Sequence, residues 1–173
     1  MESFPIFINL KKKPVTVVGG GDIALRKVRL LIKVDPNITV IARQICKDLK
    51  ELLVENNHKM LLKSFHESDL KTPTLIIAAT NNPKINKRIS TYAQQKNILI
   101  NVVDQPKLCT FTMGSIVERD ALVVSISSGG KAPVLVRKIR EKIETLLPQS
   151  CLLYTSDAAD DLLCVDLGGR RII

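Results

Sequence analysis

Three groups of residues have the types and spacing to do chemistry. Gly19, Gly21 and Ala24, within V-T-V-V-G-G-G-D-I-A, fit G-x-G-x-x-G/A, the dinucleotide-binding fingerprint. Gly19 makes the sharp turn. Gly21 has no Cβ, so the main chain can approach a pyrophosphate there. Ala24 allows close packing of helix on strand. Asp22 and Ile23 open that helix, whose free N–H groups and positive dipole end face the phosphates. A glycine-rich turn in any α/β domain is the plainer alternative. The second group is Asp104, which closes I-L-I-N-V-V-D and so puts a carboxylate directly after an apolar strand. An aspartate capping the following turn fits Asp-x-Pro equally well in kind. The third is S-S-G-G-K-A-P, residues 127–133. Its loop amides and helix start form an anion site around Ser128, Gly129 and Lys131. A simple N-terminal loop is as compatible with those residues.

The elements that must hold these groups follow from periodicity. Residues 4–10 read as a short strand and 11–14 as a turn. Residues 15–18 are a buried strand. A helix follows over 22–34, with Ala24, Val28, Leu31 and Ile32 on one face and Arg26, Lys27 and Arg29 pointing away. Asp35-Pro36-Asn37 stops it. A second strand over 38–42 leads to an amphipathic helix over 45–55 with Leu49, Leu52 and Leu53 inward. Residues 60–65 read as a strand and 66–71 as a connection or single helical turn. The continuous apolar run at 74–79 suits a strand covered on both faces. Pro83 opens a helix to about residue 96, and 98–103 is another buried strand. This alternation predicts an α/β fold, a Rossmann-like parallel sheet with right-handed crossovers. Ligands bind outside the strand C-termini of such sheets. The glycines, Arg43 and Gln44, Thr80 and Asp104 all fall there. Beyond them, strands are expected at 111–117 and 121–127 around a turn at 118–120. A helix over 133–147 then puts Leu135, Ile139, Ile143 and Leu146 on one side.

Composition bounds the rest. The chain has 173 residues, 45% hydrophobic and 25% charged, which is globular. No apolar run is long enough to span a bilayer and no signal peptide opens the chain, so a cytoplasmic protein without membrane contact is expected. Four cysteines without C-x-x-C spacing read as free thiols, and the two histidines lie near none of them, so no metal site is expected. The net charge of +9 suits an acidic partner or serves solubility alone. Four phenylalanines and two tyrosines, none in a basic cluster, argue against nucleic acid. Residues 151–173 hold four aspartates against two arginines, so the basic excess belongs to residues 1–150. The string from 151 onward looks like translated vector sequence and is read as a non-native tail, a divergent C-terminus being the alternative.

P-I-F at 5–7, V-G-G-G-D-I-A at 18–24, A-A-T at 78–80, N-V-V-D at 101–104, S-S-G-G-K-A-P at 127–133 and L-L-P-Q at 146–149 occur in this order. Together they resemble the precorrin-2 dehydrogenase module of siroheme synthases, over residues 1–150. The resemblance implies an NAD-binding Rossmann domain at 1–113 and a small α+β dimerisation and substrate segment at 114–150. It implies a homodimer that oxidises precorrin-2 to sirohydrochlorin with NAD+. Some members of the family also insert ferrous iron. Family members continue with further helical sequence where this chain has residues 151–173.

Residue by residue, the resemblance places the functional aspartate at Asp104, as acceptor of the proton released when a hydride leaves the macrocycle. It assigns Ser128, Gly129 and Lys131 to substrate carboxylates, and a basic protein suits a substrate rich in acetates and propionates. It assigns Gly19, Gly21, Asp22, Ile23, Arg43, Gln44 and Thr80 to the cofactor. Arg43 stands where an acidic residue would hold the NAD ribose, which departs from the fingerprint and leaves NADP open. The family tolerates non-acidic residues there while using NAD, and NAD is the expectation. The competing reading is a non-catalytic, ligand-sensing NAD-binding module. Such modules close the second strand with an acid and lack S-S-G-G-x-x-P.

Overall fold

Val15, Val17 and Val18 are buried because their strand, β1 (Pro14–Val18), runs through the middle of a sheet. In the computed structural model, which describes residues 3–119 and 122–147, the first of two compact units is residues 1–113 and the second begins at Gly114. The first unit contains β1, α1 (Asp22–Ile32), β2 (Asn37–Ala42), α2 (Lys47–Glu55), β3 (Lys59–Leu62), β4 (Leu75–Ala78), α3 (Pro83–Gln95) and β5 (Leu99–Val102). The strands are all parallel, in the order β3-β2-β1-β4-β5. Strand order reverses at β1, so the ligand crevice of this Rossmann-like α/β fold lies where β1 and β4 end.

Each central strand is apolar on both sides because helices cover both faces. Val15, Val17, Val40, Leu75 and Ile77 pack with Leu25, Val28 and Leu31 of α1 and with Leu49 and Leu53 of α2. Their neighbours Val18, Ile76, Ala78, Ile100 and Val102 point the other way, onto Ile89 and Ala93 of α3. Truncating a side chain as buried as Leu53 costs about 2–5 kcal/mol. Helix α3 starts sharply: Asn82 accepts from the N–H groups of Lys84 (3.0 Å) and Ile85 (3.3 Å), and Pro83 needs no partner.

Several expected boundaries move. Residues 4–10 form no strand. Phe4 and Phe7 are 78% and 74% exposed, Pro5 has no N–H to give a ladder, and only Leu10 and Ile8 reach the core. The third strand ends at Leu62 because Phe65 leaves it to pack near α3. The first helix ends at Ile32, and Asp35 takes a left-handed φ of 51°. Helix α2 begins at Lys47, two residues after Ile45. Lys27 does not point away: it is half-buried.

The second unit has an antiparallel pair, β6 (Ser115–Arg119) with β7 (Leu122–Ile126), and α4 (Pro133–Leu146). The strand expected from residue 111 starts only at Ser115, since Phe111 and Met113 join the first unit's core. Glu118 and Arg119, expected in a turn at 118–120, are strand, and residue 120 lies outside the described residues. Arg119 reaches from β6 to the end of α4, where its Nε donates to the Leu147 carbonyl (2.8 Å) and caps the helix. The expected tail at 151–173 lies outside the described residues.

Candidate functional site

The first turn of α1 is where the sequence and the backbone meet most closely. Gly19 leaves β1 with φ of 129°, and a Cβ there would run into the Ala79 carbonyl. A Cβ on Gly20 would run into the Gln44 carbonyl, and the Cys46 N–H donates to Gly20 O (2.8 Å). Gly20 therefore joins the loop after β2 to the glycine turn, a role that the x of a G-x-G pattern conceals. Gly21 differs: nothing lies within 4 Å of its Cβ position. It is the N-cap of α1 and supplies no side chain to the helix amides. An open glycine beside uncapped N–H groups is a cradle that a side chain would fill, and it fits a dinucleotide pyrophosphate. Asp22 is exposed and Ile23 half-buried in the same turn, and Ala24 is buried against the sheet.

The remaining residues of this unit lie along the same edge. Arg43 and Gln44 follow β2 directly and are exposed. Thr80 follows β4, but its hydroxyl is engaged: it donates to Asn86 Oδ1 at 2.6 Å, while Asn86 Nδ2 donates to the Thr80 carbonyl at 3.0 Å. Asn86, buried on α3, thus holds the loop that contains Thr80. No sequence signal marks it, since an asparagine inside an amphipathic helix reads as surface.

Asp104 stands just beyond β5 in the left-handed region, with φ of 57°. A non-glycine residue held there signals a backbone fixed from outside. The fixing groups are visible. Val103 N–H donates to the Ala78 carbonyl (3.0 Å), tying the turn to β4. The Cys109 sulfur accepts from Val102 N–H (3.1 Å), and its S–H faces the carbonyls of Val102 and Gln105. The Asp104 carboxylate is exposed. Lys27, on α1, lies within electrostatic reach of it. Burial pushes the Lys27 ammonium below the ordinary lysine range and Arg26 adds to this, while Asp104 and Cys109 oppose it. The sequence put Lys27 on the solvent side because its helical position borders the apolar face, and a long stem can lie along that face.

In the second unit, Ser128 Oγ accepts from the Ala132 N–H (3.0 Å), and Ser127 Oγ accepts from Gly129 N–H (3.2 Å). Gly129 and Gly130 have φ of 61° and 83°, left-handed backbone that favours glycine at both. Lys131 is exposed, and its N–H donates to the Ser128 carbonyl (3.2 Å). Pro133 then opens α4. Among the described residues, no three His, Cys, Asp or Glu side chains are grouped to hold a metal ion, and no helix is long and apolar enough to cross a membrane.

Comparison with known proteins agrees with this geometry. Residues 119–146 match the family model described as "Sirohaem biosynthesis protein central". A siroheme synthase of Ruthia magnifica subsp. Calyptogena magnifica is 50% identical over 150 residues, covering 87% of this chain and 32% of the relative. One from Pseudoalteromonas translucida (strain TAC 125) is 47% identical over 149 residues, covering 86% and 32%. The chain thus spans about a third of the length of these curated relatives. A solved structure titled "SirC, precorrin-2 dehydrogenase" superposes with a TM-score of 0.76 at 25% identity, over 89% of this chain and 76% of that one. Residues 6–115 match the model described as "Putative NAD(P)-binding", and to that family the chain belongs.

Proposed function

We propose that this chain oxidises precorrin-2 to sirohydrochlorin with NAD+, a step of siroheme synthesis. The observation that carries the reading is the single sheet edge at which an open, uncapped helix start and a backbone-constrained carboxylate both stand. Its likeness to siroheme synthases and to a precorrin-2 dehydrogenase supports the choice of substrate.

Bound NAD+ supplies the hydride acceptor. The chain's own residues do the rest. Gly19 turns the main chain, and Gly21 leaves room for the pyrophosphate against the α1 amides. Asp22, Ile23, Arg43, Gln44 and Thr80 line the cofactor. Asp104 accepts the proton that balances the departing hydride. Lys27 adds a positive charge near Asp104 that draws in an anionic macrocycle. Ser128, Gly129 and Lys131 form an anion-binding loop for a substrate carboxylate. Where ferrous iron is a substrate, Asp104 is also the group that takes up pyrrole protons as the metal enters.

The same reading includes a homodimer. Within the second unit Val117 is the one buried hydrophobic among the described residues, while Leu135 and Leu146 of α4 are 55% and 75% exposed. Two strands and one helix are too few to bury a core alone, and a second copy would cover that face. Light scattering on the purified chain tests this, and a monomer at all concentrations would remove it.

The activity test is direct. Incubation with precorrin-2 and NAD+ should yield the sirohydrochlorin spectrum and NADH in equal amounts. Binding of NADH without turnover would instead favour a regulatory module. Adding ferrous iron to sirohydrochlorin, with and without protein, tests the second activity.

A further inference from the structure

Strand β5 ends the sheet, so alternate residues along it turn their N–H and C=O groups away from β4. Ile100 and Val102 are those residues, while the Val103 N–H turns inward to the Ala78 carbonyl (3.0 Å). The returning chain meets the outward groups. The Thr110 N–H donates to the Ile100 carbonyl (2.9 Å), and the Thr110 hydroxyl accepts from the Ile100 N–H (2.9 Å). At Val102 a single sulfur meets both groups. Cys109 Sγ accepts from the Val102 N–H (3.1 Å), and its S–H is shared between the carbonyls of Val102 (3.3 Å) and Gln105 (3.4 Å). Residues 103–108 therefore form a short loop closed at its neck by one thiol. The far end of the loop is braced separately, where the Ser90 hydroxyl of α3 donates to the Leu108 carbonyl (2.7 Å). Asp104 stands inside this loop at φ of 57°. Among the described residues no hydrogen bond or ion pair holds its exposed side chain. The backbone of the loop alone decides where that carboxylate stands.

We propose that Cys109 is a positioning residue for the reaction: by closing the loop neck at Val102, its sulfur sets where the Asp104 carboxylate stands. The proposal rests on the reading of Asp104 as proton acceptor and adds the group that holds it in place. Alanine at 109 would leave the Val102 N–H without its acceptor and free the neck. Serine would keep a donor and an acceptor, on a shorter Cβ–O bond. A reacting group displaced by about 1 Å loses about 100-fold in rate, so a loosened neck is felt in turnover before it is felt in binding.

A double-mutant cycle on the full chain tests it, with precorrin-2 and NAD+ as substrates and Cys109→Ala and Asp104→Ala singly and together. Cys109→Ala should lower kcat about 10- to 100-fold, with KM for precorrin-2 and NADH affinity within about twofold of wild type. Cys109→Ser should recover part of the loss. In the Asp104→Ala background, adding Cys109→Ala should change the residual rate by less than about twofold, because the group it positions is gone. Amide exchange followed by NMR reads the neck without turnover: the Val102 N–H should exchange slowly in wild type and about tenfold faster or more in Cys109→Ala, with Ile100 unchanged. A wild-type kcat in Cys109→Ala would overturn the proposal. So would an equal rate loss with and without Asp104, a fall in NADH affinity matching the fall in kcat, or fast exchange of Val102 in wild type. Equal turnover by wild type and Asp104→Ala would instead remove the proton-acceptor reading itself, a result distinct from an inert Cys109→Ala beside an impaired Asp104→Ala.

Discussion

Replacing Gly21 by valine and Gly19 by alanine separates what the glycine turn does for the fold from what it does for a ligand. Gly21 has φ of −93° and ψ of −170°, extended backbone that any residue adopts, and its Cβ would meet nothing within 4 Å. Gly21→Val should therefore cost only the N-cap preference for glycine, about 0.5–1 kcal/mol, or about 1–4 °C in Tm for a chain of this length. The isopropyl group would, however, fill the space in front of the first α1 amides. Loss of one charge-assisted hydrogen bond to a pyrophosphate is about 1.5–3 kcal/mol, a weakening of NADH binding of about 10- to 100-fold. Gly19 is the reverse case. At φ of 129° an alanine is strained by about 1–3 kcal/mol, before its overlap with the Ala79 carbonyl is counted. Gly19→Ala should lower Tm by several degrees and reduce binding through a displaced turn. Thermal melts and NADH titrations on the two variants read both effects. Tight NADH binding by Gly21→Val, or a stability loss in it matching that of Gly19→Ala, would refute the reasoning.

Further outcomes follow from the same structure. Asn86→Leu removes one partner from the Thr80 hydroxyl and one from its carbonyl and should cost about 1–3 kcal/mol in urea unfolding. His58 is held below the usual histidine range chiefly by burial, and its Nε2 has no hydrogen-bond partner. The native state favours its neutral form, so this contribution to stability is complete above about pH 6.5 and declines as pH falls below it. Urea midpoints at several pH values should show that decline, and His58→Asn should flatten it. Asp69 is held low by Lys63 and by the His66 N–H (3.0 Å), so its contribution is present at neutral pH and lost on acidification. Asp69→Asn should reduce the acid sensitivity of the melts.

The parts of the fold that were legible in the sequence are those in which one physical requirement dominates. Buried parallel strands need apolar residues on both faces, so β1 and β4 are visible as continuous runs. The glycine turn is visible because the backbone at Gly19 admits nothing else. Residues 4–10 misled because Phe4, Ile6 and Phe7 have the composition of a strand, while pairing depends on a free sheet edge that no local pattern reveals. Lys27 and Asn86 were hidden for a related reason. Polar side chains bordering an apolar helical face read as solvated, and only the packed neighbours show that one is half-buried within electrostatic reach of Asp104 and the other braces Thr80. Cys109 was assigned only as a free thiol, yet its sulfur binds the turn that presents Asp104, a contact set by tertiary packing.

The most direct test compares precorrin-2 turnover by wild-type protein and Asp104→Ala, with NADH affinity measured on the same samples. The account predicts a fall in rate of about 100- to 10,000-fold with dinucleotide affinity retained. An unaltered rate in the variant would contradict it.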